Sequence, residues 1–432
     1  MQKWHDWDST VQCDAASIHQ PSSEAEVVDV VRKAIGSGSV VRTFGAGHSW
    51  SPLVPTTGVL VNLDKLASPV SVDAETCEAT LQAGMRIRDA GPWLQSSGLT
   101  LRNVGAITPQ SLAGAVGSGT HGTGTSFGVL GTQVSAVRLV DGLGELREFN
   151  VKDHAEEMAA LRLSLGCLGV IVEVTLDCVP DYTVKLDMAA MSFKDFIADF
   201  ENLYTTNERA RAYWFPGSQT VYVHTMNKID QKSEPGSVYS FFEAEIERKL
   251  TLGVLWWLGR TIPGLVPSCN RIQEVLGYKK GVKIGRCFDA ITTPIPPFHQ
   301  EAEVAVPIEN GSKAVQEYGD FVRRNNIPVN VPSEIRFSKA DDVLLSPGYG
   351  RDVCYIGGYN AMYRPNDTFS KDYCVDLQTR YDARPHWGKL GAPDRATALA
   401  CFPGFPAFEG IRRTFDPNGV FANEYIRSLF AL

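Results

Sequence analysis

The chain has 432 residues, which is enough for two or three domains and a sizeable core. With 44% apolar, 21% charged and 10% aromatic residues, it has an ordinary globular composition, which excludes a mostly disordered, collagen-like or coiled-coil chain. A net charge of −8 argues against a nucleic-acid partner, because nothing global would attract a phosphate backbone. Since the nine cysteines include no CxxC pair, we predict neither a disulfide framework nor a metal site.

The N-terminus and the most apolar stretch bear on location. The first eight residues, Met-Gln-Lys-Trp-His-Asp-Trp-Asp, lack the apolar core of a signal peptide and the Arg-rich character of a transit peptide, which favours a cytoplasmic location. No run approaches the roughly 18 apolar residues of a membrane span. We predict that residues 250–258, with Trp256 and Trp257, form a buried helix, because the stretch is short and has no basic face. A peripheral membrane anchor is the alternative.

Residues 1–180 alternate short strands and helices. The first helix is predicted to begin after Ser23, which forms a capping box with Glu26 ahead of an apolar stripe from Val27 to Ala34. Aliphatic or β-branched runs bounded by Gly, Asp or Pro predict strands at 40–44, 59–63, 79–83, 134–140 and 170–176. The pattern indicates a mixed helix-and-sheet domain.

Two glycine-rich loops dominate this region. The first, Gly45-Ala46-Gly47-His48-Ser49, directly follows a predicted strand, and the second spans residues 104–124 with six glycines and five hydroxyls. Many backbone donors and almost no charge suit a diphosphate held in a backbone nest. Neither loop is a Walker or GxGxxG sequence, so ordinary turns in a β-rich domain fit the composition equally well.

Residues 181–384 are predicted to form a separate layer of helices and strands, opening with a strand at 182–188. If 333–337 is a strand, Glu334 and Arg336 point to one face, where a carboxylate and a guanidinium could grip adjacent hydroxyls of a polyol. A surface ion pair on an edge strand is the alternative. In the final segment, 385–432, His386 and Lys389 flank Trp387-Gly388. Lys389 could place a compact cation at a site, or lie in solvent at a domain junction.

Three ordered motifs resemble the FAD-binding domain of the vanillyl-alcohol oxidase flavoprotein superfamily: Gly45-Ala46-Gly47-His48-Ser49, Ser111-Leu112-Ala113-Gly114 with Gly119-Thr120-His121-Gly122, and Leu165-Gly166-Cys167-Leu168-Gly169-Val170. The second half is similar to the gulonolactone oxidase-like aldonolactone oxidases at Glu334-Ile335-Arg336-Phe337, Met362-Tyr363-Arg364-Pro365, His386-Trp387-Gly388-Lys389 and Asp416-Pro417-Asn418-Gly419. The resemblance covers Gln20 to Phe430.

The resemblance implies an α+β fold of two domains. An FAD-binding domain is expected over 1–180, a substrate (cap) domain with an antiparallel sheet over 181–384, and a segment 385–432 that returns to the FAD domain and the active site. It also implies FAD attached through its 8α-methyl group to His48. Further cofactor contacts are expected from Gly45, Ala46, Gly47, Ser49, Gly105, Ser111, Gly114, Gly117, Ser118, Gly119, Thr120, His121, Gly122, Gly169, Val170 and Asn423.

The implied reaction is oxidation of an aldono-1,4-lactone such as L-gulono-, L-galactono- or D-arabinono-1,4-lactone. Hydride would pass to flavin N5, O2 would reoxidise the flavin to give H2O2, and the product would be of the ascorbate type. Glu334, Arg336, Lys389 and His386 are the expected catalytic residues. Gly105 matches a position beside the flavin face where oxygen reaches C4a, and a glycine there leaves room for a gas.

Three alternatives remain open: an alditol oxidase acting on xylitol or sorbitol, a dehydrogenase with another electron acceptor, and a flavin-binding protein without catalysis. The alditol oxidases share the Glu-Ile-Arg and His-Trp-Gly-Lys motifs, so these motifs do not distinguish a lactone from an open-chain polyol. The sequence also departs from the family. Residues 354–365 form a segment two residues longer, and Gly348 and Gly350 replace bulkier side chains.

Overall fold

The computed structural model describes residues 1–233, 236, 238–239, 242–278, 280–361 and 369–432. The motif Met362-Tyr363-Arg364-Pro365 therefore lies outside the described residues. The first 180 residues contain strands β1 (Gln2–His5), β2 (Gln12–Ala15), β3 (Ser17–His19), β4 (Val41–Phe44), β5 (Val59–Asn62), β6 (Pro69–Asp73), β7 (Glu78–Gln82), β8 (Leu99–Thr100), β9 (Val134–Val140), β10 (Leu146–Asn150), β11 (Val170–Asp177) and β12 (Val179–Pro180). The helices of this region are α1 (Glu24–Ser37), α2 (Ile87–Ser96), α3 (Leu112–Gly117) and α4 (Ala155–Leu161).

Two sheets organise this first region. Strands β3, β5 and β4 form a parallel sheet, and β10, β9, β11, β7 and β6 form an antiparallel one in that order. All five predicted strands are present, with ends shifted by one residue or less. Helix α1 begins as predicted, because Ser23 Oγ accepts from Glu26 N, and it ends at Gly38 in the left-handed conformation. The return bond of the capping box differs from the prediction, since the Glu26 carboxylate accepts from Ser22 N at 2.7 Å.

The second half forms one large sheet. Its strands are β13 (Thr183–Ser192), β14 (Arg209–Trp214), β15 (Thr220–Ile229), β16 (Gly281–Arg286), β17 (His299–Pro307), β18 (Ser333–Ser338), β19 (Val353–Ala361) and β20 (Arg384–Pro385). They pair antiparallel in the order β16-β13-β15-β14-β18-β19-β17-β20. The helices are α5 (Phe193–Ala198), α6 (Phe200–Thr205), α7 (Leu252–Thr261), α8 (Val266–Gly277), α9 (Cys287–Ile291), α10 (Gly311–Arg324), α11 (Phe369–Tyr381), α12 (Arg395–Cys401), α13 (Phe405–Phe415) and α14 (Glu424–Phe430). A π-helical segment, Phe242–Thr251, leads into α7.

The two faces of this sheet have opposite character. One face packs against α5, α6, α10 and α11 in an apolar core that includes Ile335 and Phe337. Because side chains alternate along a strand, Glu334 and Arg336 on β18 lie on the other face, which looks towards the glycine-rich loops. The predicted alternation is confirmed. Chain 385–432 leaves the sheet at β20 and packs α12, α13 and α14 into the core of the first region.

Residues 250–258 differ from the prediction of a buried helix. Helix α7 begins at Leu252 and buries Leu255 and Trp256, but Leu250, Val254 and Trp257 are 60%, 49% and 53% exposed. The stretch is apolar on all sides, whereas its protein neighbours cover only one side. Among the described helices, none combines the length and the hydropathy needed to cross a membrane.

Candidate active site

Two cavities lie between the glycine-rich loops and the large sheet. The first, with about 1020 Å³ of empty volume, is lined by the loop after β4, by α3 and by the turn before β11. The second, with about 1170 Å³, lies between the loops and the polar face of the sheet. Both are lined by His48, Ser49, Gln110 and Ser118, so the cavities meet at these residues. An elongated cofactor could pass from one cavity into the other.

The first cavity depends on glycines. Gly47 has a φ of 69°, and a Cβ there would lie 3.1 Å from Asp6 Cα, so both the conformation and the close approach require glycine. A Cβ at Gly114 would lie 2.8 Å from Ser111 Oγ. Arg42 fixes the backbone around this cavity. Its buried guanidinium donates to the carbonyls of Leu53, Leu165, Gly166 and Phe421 at 2.6–2.7 Å. In this cavity a ligand can therefore approach the backbone closely and meets little free charge, which suits a diphosphate.

His48 lies where the cavities meet. Its ring packs 4.9 Å from that of Trp7, which follows β1, and Trp7 N donates to Gly47 O at 3.0 Å. Its Nδ1 is buried without a hydrogen-bond partner. Burial, with the nearby His299 and Lys389, lowers the pKa of His48 to about 4. The imidazole is therefore neutral at pH 7, which is the form that can act as a nucleophile.

The residues predicted to bind the cofactor fall into three groups. In addition to His48, Ser49 and Ser118, the first cavity is lined by Gly45, Ala46, Gly47, Ser111, Gly114, Gly117 and Gly169. The second cavity is lined by Gly105, Thr120 and His121. Neither cavity is lined by Gly119, Gly122, Val170 or Asn423. Asn423 instead caps α14 and donates to the carbonyls of Pro52 and Pro55, so its observed contacts are structural.

Glu334 and Arg336 form a buried pair in the second cavity. Arg336 Nη2 lies 3.1 Å from Glu334 Oε2, and the two residues are 8% and 6% exposed. Strand β18 lies between β14 and β19, so the alternative of a surface pair on an edge strand is wrong. Glu334 Oε1 and Arg336 Nε are buried without a hydrogen-bond partner. The pair thus retains an acceptor and a donor for a ligand.

The sequence analysis missed two carboxylates on β17. Glu303 Oε1 lies 3.5 Å from Arg336 Nη2, and Glu303 Oε2 lies 3.2 Å from His121 Nε2. Burial opposes its ionisation, but the neighbouring His121 and Arg336 prevail and hold the pKa of Glu303 well below its usual range. Burial raises the pKa of the second carboxylate, Glu301, although Lys389 opposes this effect. The alternation of His299, Glu301 and Glu303 with Gln300 and Ala302 is the signal that could have identified this polar strand face.

His121 is held tightly in this network. Its ring stacks on Tyr355 with the centroids 3.5 Å apart, and Nδ1 lies 3.0 Å from the carbonyl oxygen of Gly122. Both ring nitrogens therefore lie near oxygen acceptors. Burial lowers the pKa of His121, although Glu303 opposes this effect, so the neutral ring donates to one of the two acceptors. Arg336 Nη1 also donates to the His121 carbonyl at 3.4 Å. The second glycine-rich loop is thereby joined directly to the sheet.

Lys389 and His386 reach the cavity from the segment after β20. Lys389 Nζ contacts the Glu301 carboxylate and lies 5.1 Å from the ring centre of Trp50, so the alternative of a solvent-facing lysine is wrong. His386 Nδ1 accepts from Gly388 N, and Nε2 donates to Gly119 O at 3.1 Å. Burial lowers the pKa of His386 to about 3, which agrees with this neutral tautomer. His386 thus fixes the lysine-bearing turn against the second loop.

His121, Glu303 and His386 are close enough for a metal-binding cluster, since one potential ligand atom from each lies within 4.8 Å of the others. The donor set does not suit a metal. His386 Nδ1 already accepts a backbone hydrogen bond, and its Nε2 carries the proton that is donated to Gly119 O. Only two of the three side chains could offer a lone pair. A compact cation would also face the Arg336 guanidinium.

The side chains that line the second cavity can bind a polar, uncharged molecule and can accept or donate a proton. Its polar wall contains two cations and three carboxylates, Arg336, Lys389, Glu301, Glu303 and Glu334. The same cavity is also lined by aromatic side chains, among them Trp7, Trp50, Trp256 and Tyr213. A polyhydroxylated ring would find both hydrogen-bonding groups and apolar cover in it.

Comparison with known proteins agrees with this geometry. Residues 174–429 match the family described as D-arabinono-1,4-lactone oxidase, and residues 15–150 match an FAD-binding domain. The chain is 32% identical to L-gulono-1,4-lactone dehydrogenase of Mycobacterium tuberculosis, over 98% of each chain. It is 33% identical to L-gulonolactone oxidase of Bos taurus, over 99% of this chain and 98% of that protein.

Solved structures share the fold at lower sequence identity. Cholesterol oxidase from Brevibacterium sterolicum superposes with a TM-score of 0.82 at 16% identity, over 99% of this chain and 96% of that one. Glucooligosaccharide oxidase from Acremonium strictum superposes with a TM-score of 0.72 at 14% identity, over 99% and 93%. The α+β flavoprotein fold with an FAD-binding domain and a large antiparallel sheet is confirmed.

Proposed function

Because the chain belongs to the D-arabinono-1,4-lactone oxidase family, we propose that it oxidises an aldono-1,4-lactone such as L-gulono-, L-galactono- or D-arabinono-1,4-lactone. The observation that carries the proposal is the buried Glu334–Arg336 pair, which lines the same cavity as His48 and Lys389. FAD, when bound, supplies the acceptor for the substrate hydride at N5. The residues described above would bind the lactone, orient it and take up its proton.

Arg336 and Glu334 would orient the substrate. Arg336 Nε can donate to a ring or carbonyl oxygen of the lactone, and Glu334 Oε1 can accept from a neighbouring hydroxyl. Glu303 holds the guanidinium in place from its other side. A clamp of this kind fixes the carbon that loses hydride, and accurate positioning supplies a large part of the rate.

Glu301 is the proposed proton acceptor. Its Oε1 is buried without a partner, and burial raises its pKa, which makes it a better base than an ordinary carboxylate. When Glu301 Oε1 takes the hydroxyl proton, the Lys389 ammonium loses its counter-ion. The lysine charge then becomes available to negative charge that develops nearby as hydride leaves the substrate. The substrate alcohol would thus lose its hydride to the flavin and its hydroxyl proton to Glu301.

A covalent bond between His48 and the flavin is part of the proposal. It is supported by the neutral ring, the unpartnered Nδ1 and the position between the two cavities. Glucooligosaccharide oxidase, which shares the fold, has an FAD bound by both 6-S-cysteinyl and 8α-N1-histidyl linkages. No described residue lining either cavity here is a cysteine, so we propose the histidyl linkage alone. Acid-precipitated protein should stay yellow, and a tryptic peptide containing His48 should carry the flavin mass.

The control for this linkage is His48→Ala, which should bind FAD but release it on denaturation. A colourless pellet from the wild-type protein would contradict the covalent bond without affecting the proposed reaction.

The electron acceptor needs a separate test, because one relative is named a dehydrogenase and another an oxidase. We propose O2 as the acceptor. Lactone-dependent release of H2O2 at a rate equal to lactone consumption supports this, and consumption that requires an added acceptor contradicts it.

A further inference from the structure

Trp7, in the turn between β1 and β2, reaches from the N-terminal hairpin to the second cavity. Its indole lines that cavity and packs against the rings of His48, Phe298 and His299, with centroids 4.9–5.6 Å apart. The turn is held in place because Trp7 N donates to Gly47 O at 3.0 Å. The indole Nε1 is buried without a hydrogen-bond partner. An unpaired buried donor is costly, so this N–H indicates a place for an acceptor.

His299, the first residue of β17, supplies an acceptor beside that donor. Its Nδ1 donates to Pro297 O at 2.8 Å. Burial lowers the pKa of His299 to about 4, so the ring is neutral at pH 7 and its Nε2 carries a lone pair. Both His299 and Trp7 line the second cavity. Since a hydroxyl group accepts and donates, one hydroxyl can accept from Trp7 Nε1 and donate to His299 Nε2.

Strand β17 relates this pair to the proposed reaction site. The side chains of His299 and Glu301 point to the same face, because alternate residues of a strand share a face. His299 is therefore about 7 Å along the strand from the proposed proton acceptor. On the neighbouring strand β19, Tyr359 packs its ring 5.6 Å from that of His299 and donates from its hydroxyl to Glu334 Oε2 at 3.4 Å. A lactone held at Glu334, with its reacting carbon beside Glu301, would extend its far end towards His299.

The surroundings of His299 favour an uncharged hydroxyl group. The rings of Trp7, Trp50 and Trp256 lie 5.6–6.2 Å from the His299 ring. Aromatic walls with a few placed polar groups are typical of sites for small molecules. A carboxylate could accept from Trp7 Nε1, but it has no proton for His299 Nε2, and its charge would lose water among these rings. The pair therefore selects a group that both accepts and donates.

We propose that Trp7 and His299 form a subsite for the hydroxylated side chain of the lactone, the part that lies outside its ring. A side-chain hydroxyl accepts from Trp7 Nε1 and donates to His299 Nε2, and the tryptophan rings cover the carbons of the chain. This inference rests on the proposed function and narrows its substrate class to lactones of five or six carbons. A four-carbon lactone, such as threono-1,4-lactone, has no side chain to bind there.

The test is anaerobic stopped-flow reduction of the FAD-loaded protein by L-gulono-, D-arabinono- and threono-1,4-lactone. The wild type should bind threono-1,4-lactone at least about tenfold more weakly than the better of the other two, because its subsite groups stay unpaired. Trp7→Phe removes the donor and keeps an aromatic ring beside His48. His299→Asn keeps a donor near the position of Nδ1 and removes the acceptor Nε2.

Each variant should raise the Kd of the lactones that carry a side chain about tenfold, the loss expected for one hydrogen bond. The rate of reduction at saturation should change little, because the subsite binds a part of the substrate that does not react. The Kd of threono-1,4-lactone should also change little. This difference between lactones is the signature of a substrate contact, since a merely structural change would affect all three alike.

Two further variants serve as controls. His299→Gln places an amide oxygen near the position of Nε2 and should keep most of the affinity that His299→Asn loses. Trp257→Phe makes the same exchange at a residue that is 53% exposed and lines neither cavity, and it should behave as the wild type does.

Two results would overturn the subsite while leaving the proposed function intact. One is an equal loss for all three lactones in Trp7→Phe and His299→Asn, or no loss for any of them. The other is a wild type that binds threono-1,4-lactone as tightly as the lactones with a side chain. Failure of every lactone to reduce the wild-type flavin would instead contradict the proposed function, and the subsite with it.

Discussion

Arg336 is held by two carboxylates and a backbone carbonyl, and this arrangement makes its removal informative. Arg336→Ala should lower kcat/KM for the lactone by about 100-fold or more, because a charged positioning group is lost from a buried site. The bound-flavin spectrum should change little. Since the alanine variant leaves Glu303 and Glu334 buried without their cation, Arg336→Lys is the second variant. It keeps the charge but not the fork of donors, and it should also lose efficiency. Wild-type kinetics in either variant would remove the pair from substrate binding.

Lys389 and Glu301 contact each other, but substitutions at the two positions should affect flavin reduction differently. Lys389→Met should slow anaerobic flavin reduction more than it weakens lactone binding, because its charge is needed mainly at the transition state. Glu301→Gln cannot accept the substrate proton and should slow reduction at every pH, with loss of the acid limb of the wild-type profile. Lys389→Arg, which retains a cation beside Glu301, is the control for the first variant. A rise in the lactone dissociation constant alone would make Lys389 a binding residue.

Gly105 in the second glycine-rich loop is the residue through which we expect this loop to affect oxygen access to the flavin. Gly105 lines the second cavity and does not have a positive φ, so its turn does not require glycine. A Cβ at this position would lie 2.8 Å from Thr120 Cγ2. Gly105→Ala should slow reoxidation of the reduced flavin by O2 while leaving lactone-driven reduction nearly unchanged, because the added methyl group narrows the space for a diatomic gas.

The close contact with Thr120 provides a control for that experiment. Gly105→Ala combined with Thr120→Ser relieves the contact and keeps the hydroxyl that accepts from Gln110 Nε2. If the methyl group itself restricts oxygen, the double variant should stay slow. Recovery of the wild-type rate in the double variant would show that displacement of the loop, and not gas access, caused the effect.

Elements with local signals could be predicted from the sequence, and those that depend on distant pairing could not. The cap at Ser23 and the aliphatic runs of β9 and β11 identify their own elements. The hairpin β1–β2, which brings Trp7 against His48, has mostly exposed polar residues and no apolar periodicity. The central place of β18 comes from pairing with strands far apart in the chain, so spacing alone could not separate a buried clamp from a surface ion pair.

Buried histidines should make the free energy of unfolding of the whole protein depend on pH. Burial lowers the pKa of His299 to about 4, whereas the ordinary value is 6.5. Between these values the unfolded chain binds one more proton at this position than the folded protein, so the free energy of unfolding falls as the pH falls. The contribution of one such histidine is about 1.4 kcal/mol per pH unit. Urea unfolding of the wild type and His299→Asn from pH 7 to 4.5 should give a shallower dependence for the variant by about this amount. Parallel curves would contradict a neutral, buried His299.

The two halves of the chain meet at the second cavity, which is lined by His48 and Gly105 of the glycine-rich loops and by Glu334 and Arg336 of the large sheet. Lactone oxidation at this cavity is tested by anaerobic stopped-flow reduction of the bound flavin by L-gulono-, L-galactono- and D-arabinono-1,4-lactone, xylitol and sorbitol. We expect at least one lactone to bleach the flavin in the wild type, with a ratio of reduction rate constant to dissociation constant well above that of either polyol, and about 100-fold or more below the wild-type value in Arg336→Ala. Bleaching by xylitol or sorbitol in preference to every lactone, or by none of the five, would contradict the account.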